Sequence, residues 1–447
     1  MYSQLLLPDL RMMLLDEDLD GLREFCDVLH PAATAEVLES LNSTEVWQVL
    51  SHYSLTRQAE IFQFLDLAQQ AELVEHIDRE RLSRLLEEMA PDDRVDLLER
   101  MDTQRVERLL PLIAAAERSD IRKLLSCPED SAGSIMTTEY ASLPEDITVE
   151  EALTRLRQQA PHRETIYYVY ILDDERHLNG IISLQELILA RPQTRLTEIM
   201  RRGVISVRVE DDQEFVAQEL ARYDFIAIPV VNHQNRLVGI VTHDDVLDVV
   251  QEEATEDAHR LAAVEPLEDS YLSTPLLTLA WKRGIWLVLL LGAALATASI
   301  LAGFEETTKK YEWMILFLPL VLASGGNVGS QSATLVIRLL ALEQMGRRET
   351  LQIAIRELML GILLGGGLML LGFLLALVHV GTKYAAVVGL TVFLVVLVGT
   401  VSGAMLPLGF RRLGMDPALM SNPLIAALVD VLGVVIYFWV AIVMLSG

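Results

Sequence analysis

Pro417-Ala-Leu-Met-Ser-Asn-Pro-Leu-Ile-Ala-Ala-Leu-Val-Asp430 is followed by Val431 to Leu445 without a single charge. A bilayer requires about 20 mostly apolar residues of helix, so this stretch is long enough to cross one. Asp430 is then a lone acid at membrane depth. Such a group is costly, normally faces a bundle interior or a watery path, and marks function. The bland alternative is a structural acid, neutral or paired with arginine.

Working toward the N-terminus, four more uncharged runs appear: Gly284–Phe304, Trp313–Ile337, Leu358–Thr382 and Tyr384–Phe410. All five meet the length criterion for a membrane helix. Lys282, Arg283, Arg338, Arg347, Arg348, Arg356, Arg411 and Arg412 fall on one side of these spans, and Lys309, Lys310 and Lys383 on the other. The richer side is expected to be cytosolic, which puts the preceding domains inside and the C-terminus outside. No charged start followed by an apolar core and cleavage site marks a signal peptide.

The chain has 447 residues and a formal charge of -27, unevenly placed. From Leu276 onward there are eight acids and eleven Lys/Arg. The part before it therefore carries about −30 and the remainder about +3. An acidic half excludes phosphate-backbone binding, which needs Lys and Arg, so no nucleic-acid partner is expected. It favours cations. Cys26 and Cys127 lie far apart and imply neither disulfide nor zinc framework.

The acidic half divides in two. Residues 1–130 show apolar positions at helical spacing, with cap signals at Asn42-Ser43-Thr44 and Pro91-Asp92-Asp93. Loosely similar blocks suggest stacked helices, a superhelical all-α domain. Residues 131–247 hold a duplication: Ile135-Met136 recurs as Ile199-Met200, and Leu178-Asn-Gly-Ile-Ile-Ser-Leu-Gln-Glu186 as Leu237-Val-Gly-Ile-Val-Thr-His-Asp-Asp245. Short β runs alternating with helices predict two small α/β modules. The pair resembles a tandem CBS (Bateman) domain. There Ser183 to Glu186 and Thr242 to Asp245 occupy the Ser/Thr-x-x-Asp/Glu place that holds a nucleotide ribose. The same pattern also caps a helix, so both readings stand.

Residues 248–275 then form an acidic connecting helix before the membrane part at 276–447. Glu253, Glu256 and Asp257 share one face, and like charges at that spacing destabilise a helix unless something cationic compensates them.

Two polar interruptions mark the spans: Ala323-Ser-Gly-Gly-Asn-Val-Gly-Ser-Gln-Ser-Ala333 with Pro319 before it, and Ser421-Asn422-Pro423. Gly and Pro there are expected to loosen the helix and free carbonyls toward a cavity; close helix packing through small residues is the competing reading for Gly329 and for the Gly365-Gly366-Gly367 run. Asn327 would lie about 16 Å in from Arg338, and Asp430 about 12 Å in from Asn422, at similar depth. Carboxylate, amide and carbonyl oxygens suit hard divalent cations. One acid per chain is little for a dry site. A symmetric dimer would bring two together around a hydrated ion.

Leu29-His-Pro, Ser131-Ala-Gly-Ser-Ile-Met-Thr137, Gly325-Gly-Asn-Val-Gly-Ser-Gln-Ser332, Arg356-Glu357 and Asp416-Pro…Ser421-Asn-Pro…Asp430 run in the order of the MgtE family of bacterial magnesium channels. The chain resembles that family over almost its whole length. The resemblance implies a homodimeric, multi-pass channel of the inner membrane that imports Mg²⁺ and closes when cytosolic Mg²⁺ binds between its acidic domains. It is no enzyme. The same likeness makes Asp430 the pore acid, with Asn422, Asn327, Gly325 and Gly326 beside it. It assigns regulatory ions to Glu60, Asp92, Asp96, Asp212, Glu214, Asp245, Asp248, Glu253, Glu256 and Asp257. ATP in the CBS pair would meet Tyr168, Glu186, Phe225 and Asp245. The chain departs from the family at Ala33, usually Asp, and at Gln185 beside Glu186. Two rivals remain: a proton-coupled divalent carrier in which Asp430 titrates, and a CBS nucleotide sensor whose spans are only an anchor.

Overall fold

The computed structural model describes residues 2–75, 77–267, 271–272, 274–342 and 346–445. Residues 268–270 and 273 of the connecting segment lie outside them. The chain forms two compact units, Met1–Val250 and Gln251–Gly447.

The first unit opens with the expected helices: α1 (Tyr2–Leu15), α2 (Leu19–Val28), α3 (Pro31–Leu38), α4 (Ser43–Leu50), α5 (Leu55–Phe62), α6 (Leu67–Glu75), α7 (Arg79–Glu88), α8 (Pro91–Glu99), α9 (Thr103–Leu109) and α10 (Ala115–Leu124). Caps set the starts. The Asn42 side chain accepts from the Thr44 and Glu45 amides while Glu45 reaches back, a complete capping box. In Leu29-His-Pro, the His30 side chain accepts from the Ala32 amide and Pro31 opens α3. Helices pack on the next but one: α1 on α3, α3 on α5, α5 on α7, α4 on α6, α6 on α8 and α8 on α10. That is the expected superhelix, with one continuous apolar core from Leu10 to Ile121.

Two copies of one sheet follow. In the first, β1 (Tyr140–Pro144) pairs in parallel with β2 (Thr165–Leu172), which pairs antiparallel with β3 (Leu178–Ser183). Its helices are α11 (Val149–Gln159), α12 (Leu184–Leu189) and α13 (Leu196–Ile199). The second repeats this with β4 (Val207–Arg208), β5 (Ala227–Val231) and β6 (Leu237–Thr242) around α14 (Gln213–Tyr223). The copies exchange lead-in segments. Thr137 bridges to Ile240, and Arg201 to Ile181. Gly180 and Gly239 make room for this: a Cβ on Gly239 would meet Met136 Sδ at 2.7 Å, and one on Gly180 would meet Met200 Sδ at 2.9 Å. The repeated Ile-Met therefore seats each copy on the other's third strand.

Val95 of α8 is completely buried in the core of the second copy, among Ala132, Met136, Val216 and Val241. Burying one such side chain is worth about 1.5–3 kcal/mol. This anchor carries the acids of α8 to the second copy.

Helix α15 (His243–Leu261) begins at His243, not at Asp248 as the sequence boundary has it, because Val246 and Val249 complete the second copy's core. The remaining helices are α16 (Leu276–Gly303), the short α17 (Glu305–Lys310), α18 (Trp313–Leu342), α19 (Arg347–Val380), α20 (Thr382–Arg412) and α21 (Asn422–Leu445). Five of these are long and apolar enough to cross a membrane. Helix α20 is the most buried of the five and packs on α18, α19 and α21.

The expected break in the second span is absent: α18 is one helix through Pro319 and the Gly-rich stretch. The glycines serve packing instead. A Cβ on Gly399 would stand 2.7 Å from the Gly325 carbonyl oxygen, and one on Gly403 would collide with that of Gly329. Two small-xxx-small pairs thus bring the α18 and α20 backbones together, the membrane solution to close crossing.

Candidate cation sites

Helix α21 starts at Asn422, shortly after a 3-10 turn at Pro417–Leu419 that Asp416 caps. The Asn422 carbonyl accepts from Ser330 Oγ at 3.0 Å, and its side-chain oxygen accepts from Thr334 Oγ1 at 3.1 Å. Four and eight residues further on, Ala426 and Asp430 face Gly326. A Cβ on Gly326 would lie 3.3 Å from the Ala426 Cβ and 3.6 Å from Asp430 Oδ1. Thr334, Ser330 and Gly326 on α18 therefore run as one row against Asn422, Ala426 and Asp430 on α21, the spacing that puts side chains on one helix face.

Asp430 is half-buried, and among the described residues no arginine and no hydrogen-bond donor is paired with it. The structural-acid alternative finds no arginine here. Gly326 lies in this row, whereas a Cβ on Gly325 would meet Val395 and Val429 in the helix packing. Asn327, next to the row, is exposed.

A second acid in this unit stood in the Arg356-Glu357 motif but was not read as a site residue. Glu357 is 8% exposed and accepts from Ser332 Oγ at 2.7 Å. It reads as the charged boundary of the third span, but α19 begins at Arg347 and carries it inside the packing.

In the first unit, α8 brings Asp92, Asp93 and Asp96 against Glu164, Asp244 and Asp245. Burial first, then their mutual repulsion, pushes Asp92 and Asp245 up to about 7, Glu164 to about 7 and Asp93 to about 8. Asp92 Oδ1 is buried without a hydrogen-bond partner. Asp245 is held by the Thr242 hydroxyl. Of these, Asp92, Asp96 and Asp245 were expected. Asp93, Glu164 and Asp244 were missed, although Asp93 stood in the quoted cap signal.

The other expected regulatory acids lie elsewhere. Glu60 pairs with Arg57 at 2.7 Å, and Asp212 caps α14 by accepting from the Glu214 amide at 2.9 Å. Burial, then Asp244, pushes Asp248 above the usual carboxylate range. On α15, Glu253, Glu256 and Asp257 share a half-buried face, as the spacing implied. The compensating cation is Arg260, which bonds both Glu256 and Asp416. Arg260 thereby ties the end of the acidic helix to the turn that opens α21. Among the described residues, no three His, Cys, Asp or Glu side chains form a ready-made chelate. The orphaned Asp92 oxygen and the hard-oxygen donor set still fit a divalent cation that keeps most of its water.

The nucleotide motif splits between the copies. Tyr168 is the register partner of Ser183, and its ring meets Phe225 edge-on at 6.5 Å. Glu186 accepts from the Ser183 amide and hydroxyl and from Arg201 at 2.6 Å; despite burial, these bonds hold it below the usual range. Asp245 instead joins the acid cluster.

These features define a membrane protein with paired α/β modules and acid-bearing spans. Residues 318–440 match the family described as divalent cation transporter, 29–130 match the MgtE intracellular N domain, and 132–192 and 196–252 match CBS domains. A protein named magnesium transporter MgtE from Thermus thermophilus is 45% identical over 335 residues, 73% of each chain. One of the same name from Bacillus subtilis is 38% identical over 322 residues, 72% of this chain and 71% of that one. A solved cytosolic domain of the Mg²⁺ channel MgtE in complex with ATP is 40% identical, with a TM-score of 0.52; the match covers 54% of this chain and 99% of that one. The soluble part of a magnesium transporter matches at TM-score 0.53 and 35% identity, over 56% and 99%. The chain belongs to the MgtE family.

Proposed function

We propose that this protein conducts Mg²⁺ into the cell across the inner membrane and closes when cytosolic Mg²⁺ neutralises its acidic domains. Family membership supports the cargo. The observation that carries the path is Asp430, an acid without arginine or hydrogen-bond partner among the described residues, set in a row of Asn422, Ser330 and Thr334 oxygens. A hydrated divalent ion needs few protein carboxylates. The exposed helix α16, unburied over its apolar window, leaves a face for lipid and for a second copy, whose Asp430 would double the charge.

The same reading puts the soluble domains and N-terminus in the cytosol. There the crowded carboxylates of Asp92, Asp93, Glu164 and Asp245 resist full ionisation while packed. A divalent ion that binds the packed state better than the loosened one shifts the population toward it. Asp92, Asp93, Asp96, Asp244 and Asp245 would hold it, and it would supply charge neutralisation. The link to the pore runs along α15 through Arg260 to Asp416. ATP at Tyr168, Phe225, Ser183 and Glu186 tunes this equilibrium, a reading favoured by the ring pair and by the ATP complex of the similar cytosolic domain.

Mg²⁺ uptake into proteoliposomes tests the path. The intact protein should take up Mg²⁺ without a proton gradient, and Asp430→Asn should lose most of that flux while staying folded. Uptake that strictly requires a proton gradient would point to the carrier. Flux unchanged in Asp430→Asn, with ATP alone rearranging the domains, would point to the anchored sensor.

A further inference from the structure

Although the chain is strongly acidic, one cavity of about 690 Å³ in the first unit gathers Lys123, Arg163, Arg176 and Arg236. Lys123 comes from α10, Arg163 from the residues before β2, and Arg176 and Arg236 from the equivalent turns that close β2–β3 and β5–β6. The turns hold each other: the Leu178 amide donates to the Asn235 carbonyl at 3.1 Å, and the Leu237 amide to the Arg176 carbonyl at 3.0 Å. The cavity wall is therefore built on paired backbone.

Arg236 donates to Glu175 at 3.2 Å and Arg176 to the Tyr140 hydroxyl, yet three observations say that the cluster as a whole is left under-compensated. First, the Nε groups of Arg163 and Arg236 are buried without a hydrogen-bond acceptor. Second, Asp173, an acid on the cavity lining, spends its carboxylate on its own turn, accepting from the Glu175 and His177 amides and meeting His177 Nδ1, each at 2.9 Å. Third, Arg176 adopts a left-handed backbone, φ 68°, where the other copy has Asn235 at φ 58°. Asparagine tolerates that conformation and arginine does so at some cost, so the guanidinium is kept there against local preference. Burial, with Arg176 adding repulsion, also lowers the Lys123 ammonium below its usual range.

We propose that this cavity binds a small phosphate-bearing anion, with the guanidiniums of Arg163, Arg176 and Arg236 and the Lys123 ammonium as its ligands. Planar guanidinium forks match phosphate oxygens bidentately, and the volume suits a small metabolite. Four residues of β2 separate the Tyr168 end from the Leu172 end, roughly 13 Å along the strand, so this is a different cleft from that of Tyr168 and Phe225. Asp120 and Asp174 on the cavity lining suit an anion that arrives with part of its charge already carried by a divalent ion.

The test is calorimetric titration of the full-length protein in detergent with inorganic pyrophosphate, with and without Mg²⁺. The intact protein should bind saturably. Arg163→Gln combined with Arg236→Gln should weaken binding at least about tenfold, the loss of one charge-assisted hydrogen bond or more. Lys123→Gln gives an independent reading, since its ammonium makes no hydrogen bond among the described residues; it should weaken binding several-fold with unchanged melting. Tyr168→Ala should bind as the intact protein does. No saturable binding by the intact protein, equal binding by the arginine variant, or binding lost in Tyr168→Ala would each overturn the assignment.

Discussion

The two copies of the α/β module share strand order, register and the motif that opens the helix after their third strand, yet the motif's acid does different work in each. In the first, Glu186 turns back on Ser183 and is held by Arg201, which keeps it charged. In the second, Asp245 bonds Thr242, but burial first, then the charges of Asp92 and Asp244, push it toward protonation. The difference comes from the neighbour. Val95 seats α8 in the second copy's core and brings acids, whereas the first copy's acid meets a base. One duplicated scaffold thus holds one acid ionised against a base and pushes another, among acids, toward protonation.

The largest effect should come from making the second copy resemble the first in charge. Asp93→Asn with Asp245→Asn removes the repulsion that the ion relieves. Mg²⁺ protection of the first unit against protease should then vanish, with equal protection in Mg²⁺ and in chelator, whereas Glu186→Gln should leave the Mg²⁺ midpoint unchanged.

Protons provide a graded version. Asp92, Asp93, Glu164 and Asp245 have packed-state values raised to about 7, 8, 7 and 7. A raised carboxylate stabilises packing below its ordinary range and loses that contribution as pH rises through the raised value. Without Mg²⁺, packing of α8 should therefore weaken between about pH 6 and 8, and the Mg²⁺ midpoint should fall several-fold across that window as proton competition declines. Protease protection at fixed Mg²⁺ checks both signs.

A structural pair sharpens the likeness. Gly239→Ala places a Cβ 2.9 Å from the Thr137 carbonyl oxygen, and Gly180→Ala places one 3.1 Å from that of Arg201. Both overpack the exchanged segments, at about 1–3 kcal/mol each, with Gly239→Ala the worse. Melting curves should rank them so. The smallest effect is on fold stability in Glu186→Gln: the lost contact is to an exposed arginine, worth about 0–1 kcal/mol, while ATP affinity should drop several-fold.

Much of this was legible beforehand. Uncharged runs gave the five spans, and the internal repeat gave the paired modules, because both signals are local. The acid cluster was only half visible, since Glu164, Asp93 and Asp245 come from three separated elements that meet through Val95. The Gly-rich stretch misled for another reason. Glycine serves both a broken helix and a tight crossing, and only the partners Gly399 and Gly403 distinguish them. Arg260 lay just beyond the acidic run, and its second partner, Asp416, is remote in sequence.

The most direct test is single-channel recording from excised patches while Mg²⁺ on the cytosolic face is raised. The intact protein should close with rising Mg²⁺, and Asp93→Asn with Asp245→Asn should show an open probability independent of it. Closure at the same Mg²⁺ concentration in both would contradict the account.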